Sequence, residues 1–238
     1  MNMNERVFAY CERGMDPGLF AEPLNAVTNA AFVAAGVAAW VQARRQTQPP
    51  GAMTTVFAAM LVVIGVGSLL FHTLATRWAG LADVIPIGIF MLSYWAYAVR
   101  SYLRASRALT ALATVGFAIA LWAAGELRCP AAGGLAWRVG ESCLNGSLGY
   151  VPALLAMPTI GILAVRAGHP AAPWLFAASA VFVVSLSLRS LDWRLCDVIA
   201  VGNYRIGSHF LWHLLNATTL YLLTRGAALH GRAPRRAP

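Results

Sequence analysis

Charge is scarce in this chain. Only 11% of its 238 residues are Asp, Glu, Lys or Arg, against 59% hydrophobic, whereas a soluble domain usually carries about 25% charge. Too few polar residues remain to cover a water-facing surface, which excludes an ordinary soluble globular domain. Lysine is missing altogether: all 18 basic residues are Arg. They stand singly or in pairs between apolar blocks, with no basic patch and no aromatic-basic motif. The formal net charge of +9 therefore reads as topogenic charge at a membrane surface and not as a nucleic-acid footprint. An Arg-only basic set also suggests a G+C-rich coding bias, which favours a bacterial inner membrane over a eukaryotic endomembrane. The first 20 residues carry Glu5, Arg6, Glu12, Arg13 and Asp16 and lack the basic-then-apolar start of a cleavable signal. The first spanning helix is expected to act as its own insertion signal. Period-2 alternation is also lacking, and open sheet edges are not satisfied in hydrocarbon, so the spanning elements are helices and not strands.

What is present is a series of long apolar runs, with a mean hydropathy of +0.62. Seven blocks have spanning length: 24–41, 53–74, 81–99, 109–124, 148–165, 174–188 and 207–224. Some lie near the short end of the roughly 17–25 residues a spanning helix needs. Arg or Pro marks their ends, as in Arg44-Arg45 with Pro49-Pro50, Arg128 with Pro130, and Arg166 with Pro170. The expected fold class is an all-α membrane protein, a seven-transmembrane helix bundle. Residues 1–230 form a single domain, and 231–238 are a short Pro- and Arg-rich tail expected to be disordered. Arg44, Arg45, Arg100, Arg104, Arg107, Arg166, Arg225, Arg232, Arg235 and Arg236 would lie on one side, and the remaining Arg residues on the other. That slight bias places the N-terminus outside and the C-terminus in the cytoplasm.

Cys11, Cys129, Cys143 and Cys196 all fall on the N-terminal side of this arrangement, an oxidising side if it is periplasm or lumen. Four cysteines allow three pairings. Cys129–Cys143, closing one loop, and Cys11–Cys196, tying the N-terminal segment to the loop before the last helix, are favoured; four unpaired thiols are the alternative.

Polar groups within the apolar blocks are few, and each is a candidate functional residue. Ser68 and His72 end the second block four residues apart, so they share a helix face, as do His209 and His213 opening the seventh. Asp83 lies near the start of the third. Alternating topology puts the end of the second block and the starts of the third and seventh at one membrane face. A His-x-x-x-His pair plus a third His makes the ligand set of a catalytic zinc, with the fourth position left for water. Each residue also has a plainer reading: a membrane His is more often an interhelical hydrogen-bond partner, and Asp83 suits an N-cap. Gly65-Val66-Gly67 reads as a helix-packing pair. Asn25, Asn29 and Asn216 are expected to be interhelical hydrogen-bond partners, Trp78, Trp174 and Trp193 to sit at the interfaces, and Asp192 and Asp197 to lie near the membrane surface with Arg189 or Arg194 as partners.

At these residues the chain resembles the alkaline ceramidase family, within a superfamily that includes adiponectin-receptor-like and hemolysin III-like proteins. Three stretches carry the resemblance: Cys11-Glu12 with 21–29; Gly67-Ser68 through Phe71-His72-Thr73-Leu74 with Asp83 and Pro86; and Leu191-Asp192 through Cys196 with His209-Phe210-Leu211-Trp212-His213. The resemblance implies a seven-helix fold with a buried zinc held by His72, His209 and His213. Asp83 then looks like the residue that orients and deprotonates the water, and Ser68 like the residue that steadies the oxyanion. The reaction implied is hydrolysis of the N-acyl bond of a ceramide-like membrane lipid. The family also carries a calcium site, for which Glu12 and Glu22 match. The expected Asp two residues before the Cys is Ala9 and the expected Asn two after the Glu is Gly14, which leaves Asp16 as the candidate substitute. The alternative for that segment is that Glu22 caps the first helix and Glu12 is a solvated charge. The alternatives for function are a hydrolase of another lipid ester or amide, and a receptor-like protein with a non-catalytic zinc. No nucleic-acid partner is expected, and no oligomeric state can be read.

Overall fold

The computed structural model describes residues 2–46, 51–129 and 143–231. Pro49, Pro50 and Pro130, and the tail with Arg232, Arg235 and Arg236, lie outside the described residues. Eight α-helices follow in order: α1 (Pro23–Thr28), α2 (Ala30–Arg44), α3 (Ala52–Leu74), α4 (Arg77–Ser101), α5 (Arg107–Glu126), α6 (Val151–Arg166), α7 (Ala172–Leu191) and α8 (His209–His230). A 3-10 turn, Ser147–Tyr150, leads into α6. The helices run longer than the apolar blocks because polar caps extend them. Thr76 accepts a hydrogen bond from the Ala79 N–H and Ser106 from the Leu109 N–H, each satisfying a first-turn donor. Asp83 therefore lies inside α4, in its second turn, and is not the N-cap.

Six segments are long and apolar enough to cross a membrane, with α1 and α2 together forming the first. Large apolar side chains such as Leu112, Ile119 and Trp122 face outward along α5, which buries only Phe117. A protein in water would not leave that surface bare. The helix that falls short in hydropathy is α8, which carries His209, His213, Asn216, Thr219 and Thr224. Eleven of its 22 residues are buried, chiefly against α7, α2 and α3, so its polar groups face protein and not lipid.

The core below the site packs Phe32, Phe57, Leu61, Phe90, Leu175 and Phe182 among their neighbours. Gly65 and Gly67 do pack helices, on opposite faces: a Cβ at Gly65 would meet Asn29 and Phe32, and one at Gly67 would overlap the Ala82 carbonyl. Ala82 is the acceptor that Pro86, with no N–H, cannot serve, so α3 and α4 touch backbone to backbone there. Only Ala75 and Thr76 separate these two helices, with Ala75 in the left-handed region at φ 48°.

The residues before α1 form a strap across the end of the bundle where α3 ends and α4 and α8 begin. Val7 donates to the Ala75 carbonyl, and Arg77 and Trp78 donate to the Glu5 and Met3 carbonyls. The exposed Glu5 carboxylate also takes the Arg77 side chain, and that bond holds its pKa below the usual value. Disulfides join Cys11 to Cys196 and Cys129 to Cys143, the pairing favoured above. The chain between α7 and α8 holds a short antiparallel pair, β1 (Ala200–Val201) with β2 (Tyr204–Arg205). These strands lie outside the spans, where water and side chains satisfy their edges.

Because Cys11–Cys196 closes a separation of 185 residues and Cys129–Cys143 one of 14, Cys11→Ser is expected to destabilise more than Cys143→Ser, by roughly 2 kcal/mol on loop entropy. Thermal unfolding of the two variants in one detergent measures the difference; equal losses would contradict it.

Candidate metal centre

Each helix end contributes a little to the site. His72 comes from the last turn of α3, and His209 and His213 from the first two turns of α8. One ring nitrogen from each lies within 4.8 Å of the other two, and all three rings are buried. His72 Nδ1 bonds Glu22 Oε2 at 2.6 Å. His213 Nδ1 lies 2.9 Å from Thr28 Oγ1, whose own proton goes to the Leu24 or Asn25 carbonyl. Both imidazoles are thus fixed with Nδ1 as donor and Nε2 as lone pair. His72 Nε2, His213 Nε2 and His209 Nδ1 have no hydrogen-bond partner. Buried polar atoms are rarely left so. Three orphaned ring nitrogens converging on one point fit a metal ion, and the partners on the far side of His72 and His213 are of the kind that orient metal ligands.

Ser68 and Asp83 are buried beside the cluster, and the Ser68 hydroxyl interacts with the Asp83 carboxylate. Both depend on the α3–α4 contact at Gly67. Over them lies the strap. Tyr10 stacks on His209 with ring centroids 3.5 Å apart and lies 5.2 Å from His72. Arg189, at the end of α7, sits against the rings of Tyr10, Tyr150 and Trp212 and donates to Ser147 Oγ and the Asn145 carbonyl. Burial of the Tyr10 phenol pushes its pKa upward despite Arg189, so it stays protonated.

Several residues took places other than those expected from sequence. Asp192 is not a surface group paired with an arginine: it is fully buried, accepting from the Cys11, Ser208 and His209 N–H groups. It thereby caps α8 and anchors the strap. Asp197 pairs with Arg205. Asn25 and Asn29 bond within their own segment, to Glu22 and to the Asn25 carbonyl, and Trp193 donates to the Ala9 carbonyl of the strap.

The acidic residues of the strap are also accounted for. Glu12 is buried, not solvated. Its two oxygens accept from the Leu24 and Asn25 N–H groups and from the Tyr204 hydroxyl. It thus caps α1 from a distance, the role expected of Glu22, whose side chain makes no cap bond. Burial and then the bond to Glu12 push the Tyr204 phenol upward in pKa, keeping it a donor. Glu22 takes Arg13 Nε on one oxygen and Asn25 and His72 on the other. Burial alone would raise its pKa, yet His72, Arg13 and Asn25 hold it below the usual value. Asp16 Oδ1 accepts from the Gly18 N–H at the exposed edge. With these oxygens engaged by donors, Glu12, Glu22 and Asp16 do not fit a calcium ion, which needs six to eight free oxygen ligands. Sequence reading passed over Tyr10, Arg13 and Thr28 as parts of the site and took Arg189 only as a partner for Asp192 or Asp197. A charged residue next to the Cys-Glu pair was the one available signal for Arg13.

Residues 9–141 match a family model described as Ceramidase. The matched stretch holds Ser68, His72 and Asp83, while His209 and His213 lie beyond it. No curated protein matches the chain.

Glu22→Gln keeps the shape but weakens the acceptor on His72 Nδ1. It is expected to lower metal affinity about 10–100-fold, read by competition with a chromophoric chelator; unchanged affinity would remove Glu22 from the site. Gly67→Ala, which drives a Cβ into the Ala82 carbonyl, is expected to cost about 1–3 kcal/mol, measured by thermal unfolding.

Proposed function

The chain belongs to the ceramidase family, whose members hydrolyse amide bonds, and on that premise we propose that it is an intramembrane zinc hydrolase cleaving the N-acyl bond of ceramide or a related lipid. The observation that carries this reading is the convergence of three orphaned, buried imidazole nitrogens beside a carboxylate and a hydroxyl. His72, His209 and His213 would hold the ion. A zinc ion there would supply Lewis acidity, polarising the amide carbonyl and lowering the pKa of a water to about 7.

The chain's own residues do the rest. Asp83 takes a proton from the attacking water and returns it to the amide nitrogen as the C–N bond breaks, giving a fatty acid and a free amine. Ser68 donates to the oxygen on which charge develops. Glu22 and Thr28 hold His72 and His213 in the tautomers that present Nε2. Tyr10 and the strap shield the site from bulk water, which strengthens each of these interactions.

Substrate reaches such a site from the membrane. An apolar cavity lies in the bundle one turn deeper than Asp83 and His213, with Ile87 and Asn216 in its wall and Phe90, Trp95, Met157 and Leu220 further along. A lipid chain fits that lining; a hydrated substrate does not. α8 serves as the seventh crossing, within one domain spanning residues 1–230. The N-terminus is outside, as the Arg distribution and two disulfides at that end suggest, and the membrane is a bacterial inner membrane. A fluorescent protein that matures only in the cytoplasm, fused to the C-terminus, is expected to be bright; a dark fusion would invert the orientation.

Purified protein is expected to release fatty acid from ceramides, with about one zinc per chain, and His213→Ala to lose both. Asp83→Asn is expected to keep zinc while lowering kcat about 10²–10⁴-fold. Zinc without release from any N-acyl lipid would leave a different lipid substrate or the receptor-like alternative, and absence of zinc would remove the reading.

A further inference from the structure

Arg13 uses every N–H of its guanidinium on protein oxygens. Its side chain has no exposure to solvent. Nε donates to Glu22 Oε1, Nη1 to the Asp16 and Gly18 carbonyls at 3.1 and 2.7 Å, and Nη2 to the His72 and Thr73 carbonyls at 2.9 and 3.2 Å. A guanidinium has five N–H donors, and all five are used. The acceptors are one carboxylate and four carbonyls: uncharged or acidic oxygens, the ligand chemistry of a hard divalent cation. They come from three separate places, namely the strap, the N-terminal edge of α1 and the last turn of α3.

We propose that the Arg13 guanidinium is a built-in replacement for a structural cation. It fills from within the chain an oxygen cage that shares Glu22 with the site in which the family's calcium is expected, and it acts as a positioning residue for His72. The hold on His72 is twofold. The carbonyls of His72 and Thr73 belong to the last turn of α3, where no intrahelical donor remains and positive charge is favoured; Nη2 takes both. Through Nε, Arg13 also fixes the Glu22 carboxylate whose other oxygen accepts from His72 Nδ1. Backbone and imidazole of one ligand are thus set by one cation. The missing acidic and amide residues at Ala9 and Gly14 belong to the same arrangement. Those extra oxygens would complete a divalent ion's coordination and an arginine does not need them; an arginine and a divalent ion cannot share one cage, and with the guanidinium removed the Glu22 carboxylate, the four carbonyls and water remain as a weaker set of oxygen ligands.

The consequence is calcium independence in a chain whose His72 still needs a cation behind it. The inference rests on His72 being a zinc ligand, but its test reads calcium response and zinc content, not lipid hydrolysis, so the two ideas fail separately. Thermal unfolding and zinc content are measured for the purified protein in calcium-depleted buffer and again with calcium chloride added. The unaltered protein is expected to show the same melting temperature and zinc content in both. Arg13→Ala, with the cage emptied, is expected to melt lower, to lose zinc in calcium-depleted buffer, and to regain part of both on calcium addition. Arg13→Lys, which keeps the charge with fewer donors, is expected to fold, to hold zinc more weakly and to ignore calcium. Stabilisation or binding of the unaltered protein by calcium overturns the proposal. So does an Arg13→Ala protein that retains full zinc, or that loses zinc with no response to calcium. Should Arg13→Ala fail to fold, the unaltered protein and Arg13→Lys still decide.

Discussion

Glu22 is buried to 3% exposure, and its carboxylate joins the strap, α1 and α3, adding to the small apolar cluster of Tyr10, Phe71 and Ala79 that the strap shares with α3 and α4. One oxygen meets Arg13 of the strap; the other meets His72 at the end of α3 and Asn25 in α1. A carboxylate taken out of water without partners is very costly, and breaking one side of a buried pair leaves the other charge uncompensated. The strap, α1 and α3 are therefore coupled: displacing any one leaves a bare charge in the interior. That coupling keeps the polar segment before α1 folded over the bundle end.

A second buried carboxylate, Asp192, does the matching work on the other side. It takes backbone N–H groups of Ser208 and His209 at the start of α8 and of Cys11 in the strap, next to the Cys11–Cys196 bond. Gly207, at φ +71°, has to be glycine here, because a Cβ would run into the Asp192 carboxylate and Cys11. So α3 and α8, the two helices that carry the histidines, are each tied to the strap by an acid at their ends. The histidine cluster lies where the two ties meet.

The bundle answers a different demand. Lipid offers no hydrogen bonds, so polar groups inside the membrane must find partners in the protein. α8 carries more of those groups than any other described helix and occupies the interior, while α5, almost purely apolar, lies outermost. The same division places the candidate site in the protein interior and a largely apolar cavity deeper in the bundle, with Asn216 and Thr219 among the few polar residues of its wall.

Much of this was legible from residues in order. Apolar runs gave the helices to within about two turns at their ends, because in a membrane hydropathy and span are the same constraint. Helical spacing put Ser68 on the face of His72 and His209 on that of His213, and alternation of the runs put Asp83 at their level. The same alternation put all four cysteines on one side, and of the pairings open there the favoured one is found. What sequence alone did not determine were interactions between groups far apart in the chain and of no fixed spacing. Glu12 caps a helix twelve residues away, Asp192 reaches back to Cys11, Tyr10 stacks on His209, and Arg13 reaches the carbonyls of His72 and Thr73. Each depends on a loop or strap whose course has no periodicity. A carboxylate in such a segment carries no mark in the sequence to tell a helix cap from a metal ligand or a solvated charge. Only the folded chain decides which donor reaches it first, and here the donors were backbone amides, one arginine and the side chains of Tyr204, Asn25 and His72.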